Sequence, residues 1–263
     1  TVRPLFNSRM RNEVQVIATV LSYDGENDSD LVAMIAASAA LTLSDIPWNG
    51  PIGAVRVGLT EEGFILNPKS ADRVGSKLDL LVSGTHEKIN MIEAAAQEVS
   101  EDVMGDAFQF AFEAIQKVTD FISEVQKSVG KEKREAALLV GSDEFEGAIR
   151  GWCKELGLDE ALYLLPKKTM EVKVAEINAE LATRAQEKFP EEKNLHEILS
   201  LVSDEFADEI VHEQILKHDK RPDGRGINEI RPISTAVGVL PRTHGTGLFT
   251  RGETQALTVT TLG

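Results

Sequence analysis

The sequence predicts an α+β protein in which two partial mixed cores flank an all-helical segment. Strand and helix patterns alternate in residues 1–99, helical periodicity dominates residues 100–218, and strand patterns return in residues 219–263. Charge follows the same division, because 30 of the 43 acidic residues lie in residues 85–220. We therefore predict three domains, with boundaries after residues 99 and 218.

Composition excludes several classes of protein. The hydrophobic content of 42% can fill real cores, and no apolar run reaches the roughly 18 residues of a membrane span. Cys153 is the only cysteine, so the chain has neither an internal disulfide nor a zinc-finger pattern. A net charge of -15 disfavours a general nucleic-acid binder. We expect a soluble protein of the reducing cytoplasm.

Residues 1–99 contain the patterns of a mixed core. Residues 13–20 alternate polar and apolar side chains and then become continuously apolar, which predicts a half-buried strand. An Ala-rich helix is predicted over residues 31–43 and is expected to be buried against a sheet. The remaining patterns predict paired strands, at residues 53–59 with 63–66 and at residues 78–83 with 88–94.

The middle segment begins with a helix start at Ser100, followed by two acids that suit the helix dipole. Apolar residues at three- or four-residue spacing predict one long amphipathic helix up to Gly130. Further helices are predicted over residues 142–156, 167–189 and 194–217, and strands over residues 233–239 and 257–261. About forty residues cannot close a core, so we expect the third segment to be the truncated opening of a domain.

Four stretches of the chain resemble the polynucleotide phosphorylase family, in the order found there. They are residues 3–6 (RPLF), the block of residues 36–41 and 46–53 (AASAAL and IPWNGPIG), residues 221–225 (RPDGR) and residues 240–255 (LPRTHGTGLFTRGETQ). The resemblance implies ribonuclease-PH-like cores, of the ribosomal protein S5 domain 2-like fold, on either side of an all-helical domain. It assigns residues 1–99 to the back half of the first core and residues 219–263 to the first strands of the second.

The same resemblance implies an activity and its partners. Members of this family degrade single-stranded RNA from the 3′ end with inorganic phosphate, release nucleoside diphosphates in mRNA turnover, and polymerise these in reverse. The implied cofactor is Mg²⁺, and the implied assemblies are a homotrimer and an RNA degradosome. The family's catalytic groups lie in the later half of the second core, after Gly263, so this chain alone is expected to be inactive, with no catalytic residue and no metal site.

The first core is a duplicate of the second and should show the equivalent site positions. Where the family's phosphate-binding serines open a helix, this chain has Asp28, Ser29 and Asp30. Carboxylates repel phosphate and are good helix caps, so we expect these residues to cap the helix.

The family's Asp-x5-Asp-x-Lys pattern corresponds to Arg73, Asp79 and Leu81. One carboxylate of three groups remains, which is a poor magnesium site. We expect Asp79 to be structural and to pair with Arg73 or Lys77. The site of the first core is thus predicted to be degenerate.

Residues 241–255 leave two interpretations open. Arg242, His244 and Arg251 can contact RNA or phosphate, because guanidinium groups bind phosphate through two hydrogen bonds. Alternatively, they belong to a twisted β-hairpin whose glycines form bends and whose arginines pair with acids.

Two further functions compete with the enzyme fragment. One is a non-catalytic scaffold or RNA-guiding module of an RNA-degrading assembly. The other is a self-standing relative of ribonuclease PH that trims tRNA, which the inserted helical segment disfavours.

Overall fold

A computed structural model describes residues 1–263, which divide into a first unit, Thr1–Leu139, and a second unit, Val140–Gly263. The elements of the first unit are α1 (Ser29–Leu43), β1 (Gly53–Thr60), β2 (Gly63–Leu66), β3 (Leu78–Gly84), β4 (Ile89–Ala96) and α2 (Glu101–Val129), after a 3₁₀ turn at Arg3–Leu5. The strands form one antiparallel sheet in the order β2-β1-β3-β4. Both predicted strand pairs are confirmed.

The two helices of the first unit cover opposite faces of this sheet. Successive strand side chains point to opposite faces, so Leu80 and Val82 of β3 pack towards α2 while Leu81 packs towards Leu31 of α1. The α2 face contributes Ala107, Ala111 and Ile115 to the larger of these two clusters. The prediction that α1 is buried against a sheet is confirmed for this face of the helix.

The predicted long helix is also confirmed, but its place in the fold differs from the prediction. Ser100 caps α2 by accepting a hydrogen bond from the Val103 backbone N–H. Because α2 packs on the sheet of the first unit, the division between the units falls after Leu139, whereas the sequence placed a boundary after residue 99. The small side chains Ala107 and Ala111 let the helix lie close to the sheet.

The strand predicted over residues 13–20 is wrong. The segment is irregular and mostly exposed, with Ile17 73% accessible to solvent. A strand needs a neighbouring ladder to satisfy its backbone groups, and neither the sheet order nor the isolated bridges include this segment.

Residues 131–139, which we call the strap, run from the end of α2 back along the start of the chain. Lys133 Nζ donates to the carbonyl oxygens of Leu41, Thr42 and Ser44 at 2.7, 3.0 and 2.8 Å, and so caps the C-terminal end of α1. Further along, the Leu139 N–H donates to the Arg9 carbonyl at 2.8 Å. The strap therefore holds both the end of α1 and the start of the unit.

The second unit contains helices followed by a small sheet. Its elements are α3 (Asp143–Glu155), α4 (Leu158–Ala161), α5 (Lys167–Lys188), α6 (Leu195–His218), β5 (Ile233–Val237), β6 (Gly245–Arg251) and β7 (Thr254–Thr260). The three long helices and both strand regions agree with the predictions, whereas the single turn α4 was not predicted. The buried side chains Phe145, Ile149 and Cys153 lie along one face of α3.

Candidate functional site

The N-terminal end of α1 lies where the resemblance places a phosphate site. Asp28 occupies the N-cap position, but its carboxylate accepts no capping hydrogen bond from the helix. The prediction that this carboxylate caps the helix is therefore wrong. It turns instead to two arginines, and Arg73 Nη2 lies 2.9 Å from Asp28 Oδ1. Asp30 Oδ1 accepts the adjacent Leu31 N–H at 2.7 Å.

Arg56, on β1, is the centre of the charged cluster. Its guanidinium donates to both carboxylate oxygens of Asp79, at 2.9 and 3.1 Å, and to Asp30 Oδ2 at 3.0 Å. Arg56 Nε faces Asp28 Oδ2 at 2.8 Å as an ion pair that lacks hydrogen-bond alignment, and neither atom has another hydrogen-bonding partner. We call these residues, together with Arg73, the Arg56 cluster.

Strand register explains why these side chains meet. Arg56 pairs with Leu81, and Asp79 lies two residues before Leu81 on the same face of β3. The sequence indicated a pairing of Asp79 with Arg73 or Lys77, and the Arg73 Nη1 to Asp79 Oδ2 distance is 3.8 Å. The main partner is Arg56, which the sequence did not assign to this site. The predicted strand pairs gave no signal for it, because they did not include the pairing of β1 with β3 that sets Arg56 opposite Leu81.

The neighbouring carboxylates keep the Arg56 guanidinium ionised. Burial of the guanidinium lowers the pKa of Arg56, but the charges of Asp79, Asp28 and Asp30 raise it by more, so that this pKa lies above its ordinary value. The Arg56 and Asp28 side chains are only 14% and 17% exposed. Three carboxylates and two guanidiniums leave a formal charge of one negative, which would repel phosphate.

The donor set does not fit Mg²⁺. The three carboxylates already bind arginine, with the Arg56 guanidinium in the position that a shared cation would take. No group of three or more His, Cys, Asp or Glu side chains is arranged to hold a metal ion. Arg56 thus forms ion pairs with Asp28, Asp30 and Asp79. We derive no chemical step through a metal from these carboxylates.

The remaining first-core positions carry no reactive group either. Leu81, at the position of the family's lysine, is 7% exposed and packs with Leu31 and Ala54. A lysine there would bury its ammonium in an apolar cluster. Ser29 is the first residue of α1, and its hydroxyl makes no hydrogen bond to another protein group.

The three candidates of the second unit do not form one site. His244 Nδ1 accepts the Leu262 N–H at 2.8 Å, and Arg242 lies in the turn before β6 with a positive φ of 64°. Arg251 ends β6, so roughly 20 Å of strand separates it from His244. The predicted twisted hairpin is present, with Gly252 at its turn, but neither Arg242 nor Arg251 pairs with an acid.

Two of the comparisons with known proteins concern parts of the chain. Residues 50–114 match the 3′ exoribonuclease family, domain 2, a stretch that contains all four strands of the first sheet and the first half of α2. Among solved structures, rice (Oryza sativa) Rrp46 superimposes with a TM-score of 0.36 and 18% identity, over 39% of this chain and 50% of that one.

Three similar curated proteins are polyribonucleotide nucleotidyltransferases. The chain is 45% identical over 262 residues to the protein of Alkaliphilus oremlandii and 41% identical to that of Bacillus licheniformis, in both cases over 100% of its own length. It is 43% identical to the Streptococcus thermophilus protein over 99% of its length. In these comparisons it spans only 36 or 37% of the relative's length. The chain is therefore similar over its whole length to polyribonucleotide nucleotidyltransferases, and it spans little more than a third of their length.

Proposed function

We propose that this chain is part of a 3′ to 5′ phosphorolytic exoribonuclease. The whole enzyme would degrade single-stranded RNA with inorganic phosphate, release nucleoside diphosphates, and run in reverse as a polymerase. The observation that carries the proposal is the similarity of the whole chain, at 41 to 45% identity, to polyribonucleotide nucleotidyltransferases. The match of residues 50–114 to an exoribonuclease domain supports it independently of the names of those relatives.

Within that enzyme, we assign this chain a structural part and no catalytic residue. The Arg56 cluster replaces the groups that would bind phosphate and metal with a closed set of ion pairs. Its role is to fix the start of α1 against the sheet. The chain alone is proposed to be inactive, and attack of phosphate on the terminal phosphodiester is assigned to residues outside it.

The cofactors and partners follow from the same proposal. Mg²⁺ and inorganic phosphate would be needed at the catalytic site elsewhere, and single-stranded RNA would be the substrate. The assembly would be a homotrimer in the cytoplasm, associated with RNA degradosome components. None of the helices combines the length and the apolar character that a membrane span requires.

A chimera tests the proposed function. The matching segment of the Alkaliphilus oremlandii enzyme is replaced by this chain, and release of ADP from poly(A) is measured with phosphate and Mg²⁺. We expect phosphate-dependent release from the chimera and none from the 263-residue chain alone. A folded chimera without activity would contradict the proposal, and clear activity of the isolated chain would contradict the assignment of the chemistry to other residues.

The second candidate is a non-catalytic scaffold or RNA-guiding module, and the closed Arg56 cluster favours it for this chain considered alone. In that case the chimera would bind RNA without releasing ADP, whereas the enzyme-segment proposal requires turnover. Comparing RNA binding with ADP release in the same chimera therefore separates the two.

A further inference from the structure

The second unit contains a cavity of about 840 Å³ whose lining is rich in basic side chains. We call it the basic cavity. Five cationic side chains line it, from α5, from the segment before β5 and from the end of β6: Lys167, Lys168, Arg225, Arg231 and Arg251. Three acidic side chains also line it, namely Glu171, Asp223 and Glu253, which leaves a formal charge of two positive. Such a surface is unusual in a chain of net charge -15.

Pairing within the cavity neutralises some of these charges and leaves others free. Asp223 accepts hydrogen bonds from Arg225 at 2.6 and 2.9 Å and from Arg231 at 3.3 Å. The hydrogen bonds from Arg225 hold the pKa of Asp223 below its ordinary value, so this carboxylate stays charged. Lys167 pairs with Glu171 at 3.4 Å. The arginines before β5 are thus fixed in place by one shared acid.

Lys168 and Arg251 have no such partner. Neither side chain forms an ion pair or hydrogen bond with another group of the protein, and the first turn of α5 contains no acidic residue. These two charges, from different elements, line the same cavity and remain available to an anion. The same lining includes Leu164 and Leu165, which are 38% and 58% exposed.

We propose that the basic cavity binds the backbone of single-stranded RNA, with Lys168 and Arg251 contacting phosphodiester groups. This inference rests on the proposed function for the class of ligand, and it adds a binding site remote in sequence from the Arg56 cluster. The combination of unpaired cations from two elements suits a flexible strand, because the phosphates of such a strand can adjust their positions to meet the charges. The arginines fixed by Asp223 strengthen the positive field without needing to move.

Charge-neutral substitutions test the site. The double variant Lys168→Gln with Arg251→Gln removes two cations without breaking an ion pair, so circular dichroism should show an unchanged fold. Binding of fluorescein-labelled oligoadenylate is measured by anisotropy over a range of salt concentrations. We expect affinity at low salt to fall on the order of tenfold. The slope of log affinity against log salt should become shallower by about 1.4, since each lost phosphate contact on a single strand contributes about 0.7.

A matched control carries the same change of charge elsewhere. Lys117→Gln with Lys127→Gln alters two exposed, unpaired lysines of α2 and should leave binding unchanged. Equal loss of affinity in both variants, or no binding of oligoadenylate by the unmodified chain, would overturn the site. Stronger competition by polyglutamate than by oligoadenylate would reassign it to an acidic peptide. Displacement by inorganic phosphate beyond that by chloride at equal ionic strength would reassign it to the free ion.

These outcomes are distinct from those of the chimera. An active chimera together with unchanged RNA binding by the cavity variant would reject only the basic cavity. An inactive, folded chimera together with the expected loss of RNA binding would reject only the phosphorolytic assignment.

Discussion

Arg56 gives a group of acids a structural role, because its side chain occupies the position that a bound cation would take. Three carboxylates brought together without a cation would repel each other strongly in a partly buried position. The guanidinium has donors in one plane, and it donates to Asp30 and Asp79 at 2.9 to 3.1 Å while its Nε lies 2.8 Å from Asp28 Oδ2 as an ion pair. The start of α1 is therefore held on the sheet through this arginine as well as through the packing of Leu31 on Leu81.

Replacing the arginine tests this role. Arg56→Gln keeps much of the volume and leaves three carboxylates without their main cation, so we expect the first unit to lose about 2 to 3 kcal/mol of unfolding free energy. Urea unfolding is followed by the fluorescence of Trp48, which is buried in this unit, in a Trp152→Phe background. The control Lys69→Gln breaks an exposed pair with Glu26 and should cost less than about 1 kcal/mol. Similar losses in both variants would contradict the structural role.

A second test concerns the burial of the Cys153 side chain. Its thiol is fully buried on α3, and burial raises the pKa of Cys153 to about 11. Since thiolate is the reactive form, we expect Ellman's reagent at about pH 8 to label the folded chain at least a hundredfold more slowly than the chain in urea. Rapid stoichiometric labelling of the folded chain would show that the second unit opens around α3.

The same raised pKa has a consequence for alkaline stability. A thiol whose folded pKa exceeds its unfolded value contributes stability below the unfolded pKa, and this contribution is lost as the pH rises through about 11. We therefore expect the urea midpoint of the second unit, followed through Trp152, to fall as the pH approaches 11. A urea midpoint that stays unchanged as the pH rises to about 11 would argue against a buried, neutral thiol.

The helices and strands with a periodic sequence were predictable, whereas the elements that they pack against were not. Long helices such as α2 and hairpins such as β3–β4 follow from local patterns alone. Residues 13–20 have a strand pattern without a ladder, because pattern cannot supply a hydrogen-bonding neighbour. The apolar face of α2 predicts burial, yet it does not say that the sheet of the first unit is what buries it.

The candidate site was also only partly predictable from the sequence. The resemblance pointed to Asp28, Arg73 and Asp79, and the structure brings these three residues together. The resemblance could not supply the central residue, because Arg56 reaches the cluster only through the pairing of β1 with β3. The basic cavity was beyond prediction for the same reason: Lys168 and Arg251 are distant in sequence and meet through the fold.

The close approach of β1 and α2 yields a prediction about glycine. A Cβ atom added to Gly53 would lie 3.0 Å from the Ile115 carbonyl oxygen and 3.2 Å from Val118 Cβ. We expect Gly53→Ala to push the helix from the strand and to cost about 1 to 3 kcal/mol of unfolding free energy. Gly105→Ala, on the open side of α2, meets nothing within 4 Å and should stabilise by about 0.5 to 1 kcal/mol. Opposite signs in urea unfolding would confirm the packing, and equal effects would contradict it.

At the scale of the whole molecule, the acidic excess makes stability dependent on carboxylate charge. Hydrogen bonds from arginine lower the pKa values of Asp45, Glu209 and Asp223. Backbone and side-chain hydrogen bonds, chiefly from Asn27, lower the pKa of Asp24 to about 2. Groups with lowered folded pKa values contribute stability above their unfolded values near 4, and that stability is lost as the pH falls through the folded values.

We therefore expect the helical signal in circular dichroism to be constant from neutral pH to about 5 and to fall between about 4 and 2. Repulsion among the 28 Lys and Arg and 5 His side chains adds to the loss once the acids are protonated. Retention of the urea midpoint down to about pH 2 would show that these pairs contribute nothing to the folded state.

The contact between the strap and α1 also implies an order of events in folding. Lys133 reaches carbonyl groups 89 to 92 positions earlier in the chain, so closing this contact requires a long loop and a preformed end of α1. During synthesis, which proceeds from the N-terminus, α1 leaves the ribosome long before the strap does. The last carbonyl groups of α1 must therefore be solvated by water until residues 131–139 emerge, and docking of the strap is a late event that completes the first unit.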